Sequence, residues 1–228
     1  MYNDKVEIRD VEVDGETNWY WIKGDTGCFN GASDDWVGFH KEKYFTHVKN
    51  FDTIVTAGTN CGMYVRFYAK KFKHVYAFEP EPIAFYCMVN NNPVDNVVKM
   101  NCALGHGHGI VGIHRTPPGG PELNVGMNVI QNATEEFKIP MITIDSLGLQ
   151  ACDLLQLDLE GFEIYALQGA KNTILKYKPV IAAERFNKPE DQKYMAELGY
   201  RYVDQSNFDA IYIPSDINSD GEVFVYQS

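Results

Sequence analysis

Three carboxylates lie close together in the chain where an apolar segment ends. The segment Cys152–Ala170 has the sequence C-D-L-L-Q-L-D-L-E-G-F-E-I-Y-A-L-Q-G-A, and its first half is almost continuously apolar. Such a run predicts a strand covered on both faces of a parallel sheet. Asp158, Glu160 and Glu163 follow at its end, and Gly161 permits a sharp bend there. Because ligands of open α/β sheets bind beyond the carboxyl ends of the strands, the segment predicts a site.

Proton transfer is the chemistry that suits Asp158 and Glu160. A carboxylate within hydrogen-bond reach of a hydroxyl can act as a general base, or it can help to hold a divalent metal. The alternative is that these acids stabilise the start of the following helix, a role that fits Glu163 best. Glu184 ends the next predicted strand beside Arg185, so it either lines the same crevice or forms an ion pair.

A glycine turn occurs earlier, where another apolar strand meets its helix. The turn Ala57–Gly62 has the sequence A-G-T-N-C-G, and glycine there lets a ligand approach the backbone closely. The next apolar strand ends in Glu79 and Pro80, about 20 residues beyond Gly58. An acid at that spacing is placed to accept hydrogen bonds from a ribose diol. Together the two elements predict a cofactor that contains a nucleoside.

The glycine spacing helps to choose the cofactor. It is G-x-x-x-G, whereas dinucleotide sites use G-x-G-x-x-G to approach a pyrophosphate. The end of the sequence also predicts a hairpin instead of a second mononucleotide-binding half. Both observations favour S-adenosylmethionine over NAD, and a nucleotide-dependent oxidoreductase is the weaker alternative.

Composition excludes several classes of protein. The 228 residues are 45% hydrophobic, which predicts a packed globular protein. The formal net charge of −11 disfavours nucleic acid and anionic membrane as partners, because both require a cationic footprint. The five scattered cysteines form no CxxC pair and fit a reducing compartment. With no secretory leader or membrane-spanning run recognised, we expect a cytoplasmic protein.

From residue 51 onward, predicted strands alternate with predicted helices. This rhythm indicates an α/β fold with a doubly wound, mostly parallel sheet, closed by a C-terminal antiparallel hairpin. The predicted strands are 51–58, 74–78, 97–104, 154–159, 179–184, 200–204 and 210–214. The predicted helices are 63–72, 82–91, 164–177 and 189–198, with a further one at 36–48. We therefore expect residues 1–50 to form an N-terminal extension or lid and residues 51–228 to form the core domain.

A long insertion, residues 105–138, separates the third and fourth core strands. Loops of this length are usually functional. It contains His106, His108 and, near its middle, His114. The H-G-H spacing lacks an evident third ligand, so no metal site is predicted. Four aromatic residues of the N-terminal region could close over a sugar or could pack in the core, namely Trp19, Trp21, Trp36 and Phe39.

These motifs, in this order, resemble the FkbM-type methyltransferase family, whose members are class I enzymes dependent on S-adenosylmethionine. The resemblance rests on four blocks: Gly58–Gly62, Phe78–Pro80, Asn101–Gly105 and Asp158–Ala170. It implies a seven-stranded mixed sheet and O-methylation of a sugar or another hydroxyl-bearing natural product. The acceptor is then a small molecule or carbohydrate.

The resemblance also assigns roles by position. It implies that Gly58, Asn60 and Gly62 form the methionine-binding turn, that Glu79 binds the ribose, and that Cys102 and Ala103 border the adenine. The predicted cofactor-binding residues are Thr56, Gly58, Asn60, Gly62, Glu79, Pro80, Cys102, Ala103 and Asp158. The predicted catalytic residues are Asp158 and Glu160.

Two positions depart from the family pattern. Thr56 stands where the family usually has Asp, two positions before the first glycine, and Gln156 stands where it often has Lys. These departures motivate an alternative hypothesis, in which the chain is a methyltransferase-like binding protein that has lost turnover. The leading hypothesis is an O-methyltransferase dependent on S-adenosylmethionine.

Overall fold

The computed structural model describes residues 2, 4–35, 41–114, 128–132 and 138–215. The strands are β1 (Val6–Arg9), β2 (Trp19–Ile22), β3 (Thr53–Ala57), β4 (His74–Phe78), β5 (Val97–Met100), β6 (Ala103–Leu104), β7 (Gly109–His114), β8 (Val129–Asn132), β9 (Ile139–Ile142), β10 (Leu154–Leu157), β11 (Val180–Glu184), β12 (Tyr200–Ser206) and β13 (Asp209–Pro214). The helices are α1 (Thr26–Asp35), α2 (Lys41–Thr46), α3 (Met63–Ala69), α4 (Pro82–Asn91), α5 (Glu163–Gln168), α6 (Lys171–Tyr177) and α7 (Pro189–Glu197), and a 3₁₀ turn covers Ile144–Leu147.

The main sheet has the strand order β12-β13-β11-β10-β3-β4-β5. The pairs among β3, β4, β5, β10 and β11 are parallel, whereas β13 is antiparallel to both β11 and β12. The predicted α/β fold with a mostly parallel sheet is confirmed, and so is the terminal hairpin. Chain order reverses between β3 and β10, and this is where ligands of doubly wound sheets bind.

The two central strands are apolar because both of their faces are covered. Every residue of β3 and of β10 is buried. Two hydrophobic clusters lie against the sheet, one containing Ile54 and the other containing Val55. Side chains alternate along a strand, so the two neighbours belong to opposite faces. This packing fixes the positions at which β3 and β10 end, and the polar residues of the site begin there.

The predicted strand 97–104 is wrong as a single element. It is divided into β5, which pairs with β4, and β6, which pairs with β9 in a different sheet. Asn101 stands at the division, and its Nδ2 donates to the main-chain oxygens of Glu79 (2.8 Å) and Pro80 (3.0 Å). A side chain thus takes the place of the sheet pairing that the sequence predicted.

The predicted insertion contributes much of a second sheet. This sheet has the order β6-β9-β7-β8, and the pairs β7–β8 and β7–β9 are antiparallel. Residues 115–127 and 133–137 lie outside the described residues. This sheet was not predicted, because its strands are short: β6 has two residues and β7 has six.

The predicted helix 164–177 is also wrong as a single element, since it is divided into α5 and α6. Gly169 lies at the break, where a Cβ atom would meet the main-chain oxygen of Gly105 at 2.0 Å. The close approach of the chain at Gly105 therefore needs a glycine at this position.

The N-terminal region packs against the core. Strands β1 and β2 form a hairpin, and Trp19 and Trp21 are almost completely buried. The main-chain N–H of Tyr20 donates to Asn91 Oδ1 at 2.7 Å, which ties the hairpin to α4. The predicted helix 36–48 corresponds in part to α2, while residues 36–40, which include Trp36 and Phe39, lie outside the described residues. No helix among the described residues is long and apolar enough to span a bilayer.

Candidate active site

A cavity of about 320 Å³ lies at the carboxyl ends of the parallel strands. Its walls come from the glycine turn after β3, from the ends of β4, β10 and β11, from α1 and from the small sheet. Of the predicted site residues, those that line it are Thr56, Gly58, Asn60, Glu79, Pro80, Asp158 and Glu160. The structure therefore brings most of the predicted site together.

The glycine turn is shaped by two close approaches. Gly58 has φ +75°, and a Cβ atom there would meet the main-chain oxygen of Asp158 at 1.6 Å. Gly62 has φ +80°, and a Cβ atom there would meet Met88 Cγ at 2.6 Å and Asn92 Nδ2 at 2.7 Å. Gly58 lines the cavity, whereas Gly62 packs against α4 and does not. The second glycine thus serves the packing of the turn.

Every main-chain N–H of the turn from Gly58 to Gly62 already donates within the protein. The acceptors, in order, are the Phe78 oxygen for Gly58 (3.1 Å) and Thr59 (3.3 Å), Glu79 Oε2 for Asn60 (2.7 Å), Asn60 Oδ1 for Cys61 (2.7 Å) and the Thr59 oxygen for Gly62 (2.8 Å). A ligand that enters the cavity therefore meets a turn whose backbone donors are satisfied.

Glu79 is held rigidly at the end of β4. Its Oε2 accepts from the N–H of Asn60 at 2.7 Å, and its Oε1 accepts from the N–H of Glu81 at 2.8 Å. Only 6% of the residue is exposed, and this burial raises the pKa of Glu79 to about 7. Each oxygen keeps a further lone pair, so the carboxylate can still accept hydrogen bonds from a diol.

Three carboxylates meet beside the glycine turn, where β10 and β11 end. Oxygens of Asp158, Glu160 and Glu184 all lie within 4.8 Å of one another. Asp158 and Glu160 follow β10, and Glu184 ends the neighbouring strand β11. The sequence left open whether Glu184 lines the crevice, and the structure shows that it does. A set of three carboxylates has the donor chemistry to bind a divalent cation, a role that the sequence left open for Asp158 and Glu160.

Burial and mutual repulsion raise the pKa values of two carboxyl groups in this cluster, Asp158 and Glu160. Burial raises the pKa of Asp158 well above its usual range, and the nearby charge of Glu184 raises it further. The Asp209 charge and a hydrogen bond with the Glu184 side chain also raise the pKa of Asp158. Burial, followed by the charge of Glu184, raises the pKa of Glu160 to about 7. A group that titrates there can accept a proton near neutral pH.

Arg185 is the cation beside this cluster. Its Nη1 lies 3.7 Å from Glu160 Oε2, and its Nε lies 3.4 Å from Glu184 Oε1. The Arg185 charge lowers the pKa of Glu160, which partly offsets the effect of burial. Both Glu160 (φ 52°) and Arg185 (φ 48°) have left-handed backbones, which non-glycine residues adopt rarely. Such strain concentrates at functional sites.

Comparison with known proteins assigns the chain. The sequence profile described as the Methyltransferase FkbM domain matches residues 56–202, more than half of the chain. The chain belongs to the FkbM methyltransferase family. A comparison with curated protein sequences gave no match.

One solved structure shares the fold at a TM-score of 0.50, and two others give lower scores. The methyltransferase FkbM from Methylobacillus flagellatus KT has a TM-score of 0.50 at 19% identity, over 71% of this chain and 43% of that chain. This FkbM-family chain therefore spans less than half the length of that protein. A SAM-dependent methyltransferase from Aquifex aeolicus gives 0.44 at 12% identity, covering 79% and 90% of the two chains. TYW2 from M. jannaschii in complex with AdoMet gives 0.43 at 15% identity, covering 92% and 87%.

The two departures from the FkbM pattern contact each other. Thr56 and Gln156 are partners in the register of β3 and β10, and Thr56 Oγ1 donates to Gln156 Oε1 at 2.5 Å. Both are buried, and both line the cavity. A neutral hydrogen-bonded pair therefore occupies the floor of the site. Sequence reasoning noted each residue separately and missed the pair, because the two lie 100 positions apart.

The polar groups of the cavity are compatible with a nucleoside cofactor that carries an amino-acid tail. Glu79 offers acceptors at the end of β4, and its carboxylate is held by the N–H of Asn60. Only 4% of Gln156 is exposed, and its Nε2 donates to no described residue. The N–H groups of this lining residue remain available to a ligand atom that accepts hydrogen bonds.

Some predicted residues lie elsewhere. Cys102 and Ala103 are buried and do not line the cavity, so they are not brought to the place that the prediction assigned to them. His106 and His108 are exposed and do not line it either. Glu163 begins α5, as predicted, and its Oε1 accepts from the N–H groups of Leu159 (2.8 Å) and Gly161 (3.4 Å). The side chain of His114 lies outside the described residues.

Proposed function

We propose that this FkbM-family protein is an O-methyltransferase that uses S-adenosylmethionine and acts on a hydroxyl of a sugar, glycan or related small molecule. The observation that supports this proposal is one cavity lined both by the glycine turn with Glu79 and by the carboxylate cluster of Asp158, Glu160 and Glu184. The first group suits a cofactor, and the second suits an acceptor that must lose a proton.

The protein would hold the cofactor by shape and hydrogen bonding. Glu79 would accept from the ribose hydroxyls, and the glycine turn would hold its carboxylate in place through the N–H of Asn60. When bound, S-adenosylmethionine supplies an electrophilic methyl group. The task left to the chain is to align a hydroxyl with that group and to exclude water, which supplies a large part of the rate enhancement in such displacements.

Glu160 is the proposed general base. Its pKa of about 7 keeps a large fraction ionised at neutral pH, and its carboxylate would accept the hydroxyl proton as the acceptor oxygen attacks. The pKa of Asp158 is raised well above its usual range, so its carboxyl group would donate to a neighbouring hydroxyl of the acceptor, and the Glu184 carboxylate beside it would accept from another. This assignment gives the acceptor more than one hydroxyl contact, as a sugar would provide.

Charge narrows the acceptor class. Among the described lining residues Arg185 is the one cation, and it already lies beside Glu160 and Glu184. An anionic acceptor would meet three carboxylates without a free counter-charge, which disfavours its binding. Neutral or cationic hydroxyl compounds are therefore the proposed substrates.

The proposal is tested by calorimetry followed by an acceptor screen. Purified protein is titrated with S-adenosylhomocysteine beside Glu79→Ala and the control Glu197→Ala, whose side chain is exposed on α7. We expect binding that Glu79→Ala weakens at least tenfold and that the control leaves unchanged, the loss expected for two hydrogen bonds to a charged group. A screen with methyl-labelled cofactor and neutral sugars then tests turnover. No binding to the folded protein would refute the cofactor, and binding without transfer to any hydroxyl acceptor would favour a catalytically degenerate binding protein.

A further inference from the structure

Gln156 lies on the floor of the cavity with both of its amide N–H donors unused. Its Oε1 accepts from Thr56 Oγ1 at 2.5 Å, and 4% of the residue is exposed. No described residue accepts from its Nε2. Because the Thr56 hydroxyl holds the carboxamide oxygen, the two N–H donors are directed away from Thr56 within a residue that lines the cavity. They are available to an acceptor atom of a ligand in the cavity.

The glycine turn cannot replace Gln156 as a donor. All of its main-chain N–H groups from Gly58 to Gly62 donate to protein acceptors. Arg185 is 62% exposed at its side chain and lies against Glu160 and Glu184. On the floor of the cavity, the carboxamide of Gln156 is therefore a donor that a ligand oxygen with negative charge could use.

We propose that Gln156 Nε2 binds the α-carboxylate of the methionine portion of S-adenosylmethionine, with Thr56 as the residue that orients it. The inference rests on the proposed function, since it assigns a contact to the proposed cofactor. The carboxamide is a neutral donor, so it would bind the carboxylate without adding a positive charge to the floor of the cavity. A hydrogen bond to a charged acceptor is stronger than one between neutral groups.

Ligands that differ only in the tail test the contact. S-adenosylhomocysteine carries the full amino acid, its decarboxylated form lacks the carboxylate alone, and 5′-methylthioadenosine lacks the whole tail. Binding of all three is measured by calorimetry for the natural protein and for Gln156→Leu. We expect Gln156→Leu to lower the affinity for S-adenosylhomocysteine by roughly ten- to a hundredfold, as expected for loss of a charge-assisted hydrogen bond. The affinities for the other two ligands should stay unchanged.

Two further variants make the result decisive. Gln156→Glu keeps an oxygen for Thr56 and removes the donors, so it should lose the same preference even if Gln156→Leu folds poorly. Gln150→Leu makes the matched change at an exposed glutamine whose Nε2 donates to the Gly148 oxygen at 3.0 Å, and it should keep the natural preference. If both Gln156 variants lower the affinities for all three ligands equally, the contact to the carboxylate is refuted, while the proposal that S-adenosylmethionine is the cofactor is unaffected. If the natural protein binds none of the three, the proposed function and this contact fail together.

Discussion

The main-chain oxygen of Asp158 occupies the space where a side chain on Gly58 would begin. A Cβ atom on Gly58 would lie 1.6 Å from it, and Gly58 also has φ +75°. The first turn of the cofactor site and the first acid of the acceptor site are therefore in direct contact. A side chain introduced at Gly58 must therefore displace the backbone of Asp158.

Gly58→Ala should accordingly unfold or displace the junction of β3 and β10. We expect a loss of more than about 2 kcal/mol in the free energy of unfolding, because a backbone clash adds to the cost of the left-handed conformation. Gly148→Ala is the matched control, since Gly148 has φ +62° and nothing within 4 Å of a built Cβ atom. It should cost about 1 kcal/mol. Equal losses in urea denaturation would contradict the role of the Asp158 contact.

Glu160→Gln should remove the proposed base while leaving the cavity in place. We expect kcat to fall by roughly 10²–10⁴-fold, the contribution typical of general base catalysis, with unchanged affinity for S-adenosylhomocysteine. The natural enzyme should lose activity below about pH 7, where Glu160 becomes protonated, and the variant should lack this limb. A variant that keeps the same acidic limb would show that another group is the base.

Arg185→Gln tests the electrostatic control of Glu160. The Arg185 charge lowers the pKa of Glu160, so its removal should move the acidic limb of the activity profile to higher pH. Lys193→Gln removes an exposed cation of α7 and serves as the control. Coinciding pH profiles for Arg185→Gln and the natural enzyme would rule out this influence.

Asp158→Asn should make the ligand-free protein more stable above neutral pH. Burial raises the pKa of Asp158 well above its unfolded value. It also raises the pKa values of Glu79 and Glu160 to about 7. The folded state therefore holds protons that the unfolded state has released above about pH 4, so stability is lost as the pH rises through the folded pKa values.

The expected gain for Asp158→Asn at pH 8 is roughly 2–4 °C in Tm, which corresponds to about 1 kcal/mol for a protein of this size. Thermal melts at pH 5 and pH 8 measure it, with the exposed Asp4→Asn as control. The Tm of the variant should change less between pH 5 and pH 8 than the Tm of the natural protein does. An equally steep decline in both would contradict a buried charge at this position.

Much of the fold was predictable because local signals agree with the tertiary structure. β4 and α4 begin and end at the predicted residues, since an apolar run stops at Glu79 and Pro82 begins the helix with Glu81 as its cap. The helix α1 was missed, because its sequence T-G-C-F-N-G-A-S-D-D combines poor helix formers with no basic residue in the last turn. There tertiary contacts outweigh propensity.

Within the site, single residues were easier to predict than their relationships. Asp158, Glu160 and Glu79 stand out because polar residues end apolar strands. The inclusion of Glu184 depended on the neighbouring position of β11, and the Thr56–Gln156 bond depended on the register of β3 with β10. Register is a property of pairing between distant segments, and no local pattern encodes it.

The small sheet β6-β9-β7-β8 supplies a wall of the cavity that is separate from the main sheet. It reaches the cavity through Ile113, Val129 and Ile130, whereas the glycine turn, Glu79 and the acids follow strands of the main sheet. Under the proposed function, exchanging those three side chains would change the shape of the acceptor that fits, while the groups proposed to hold the cofactor and to move the proton would keep their places. Acceptor selectivity and chemistry would then reside in different sheets.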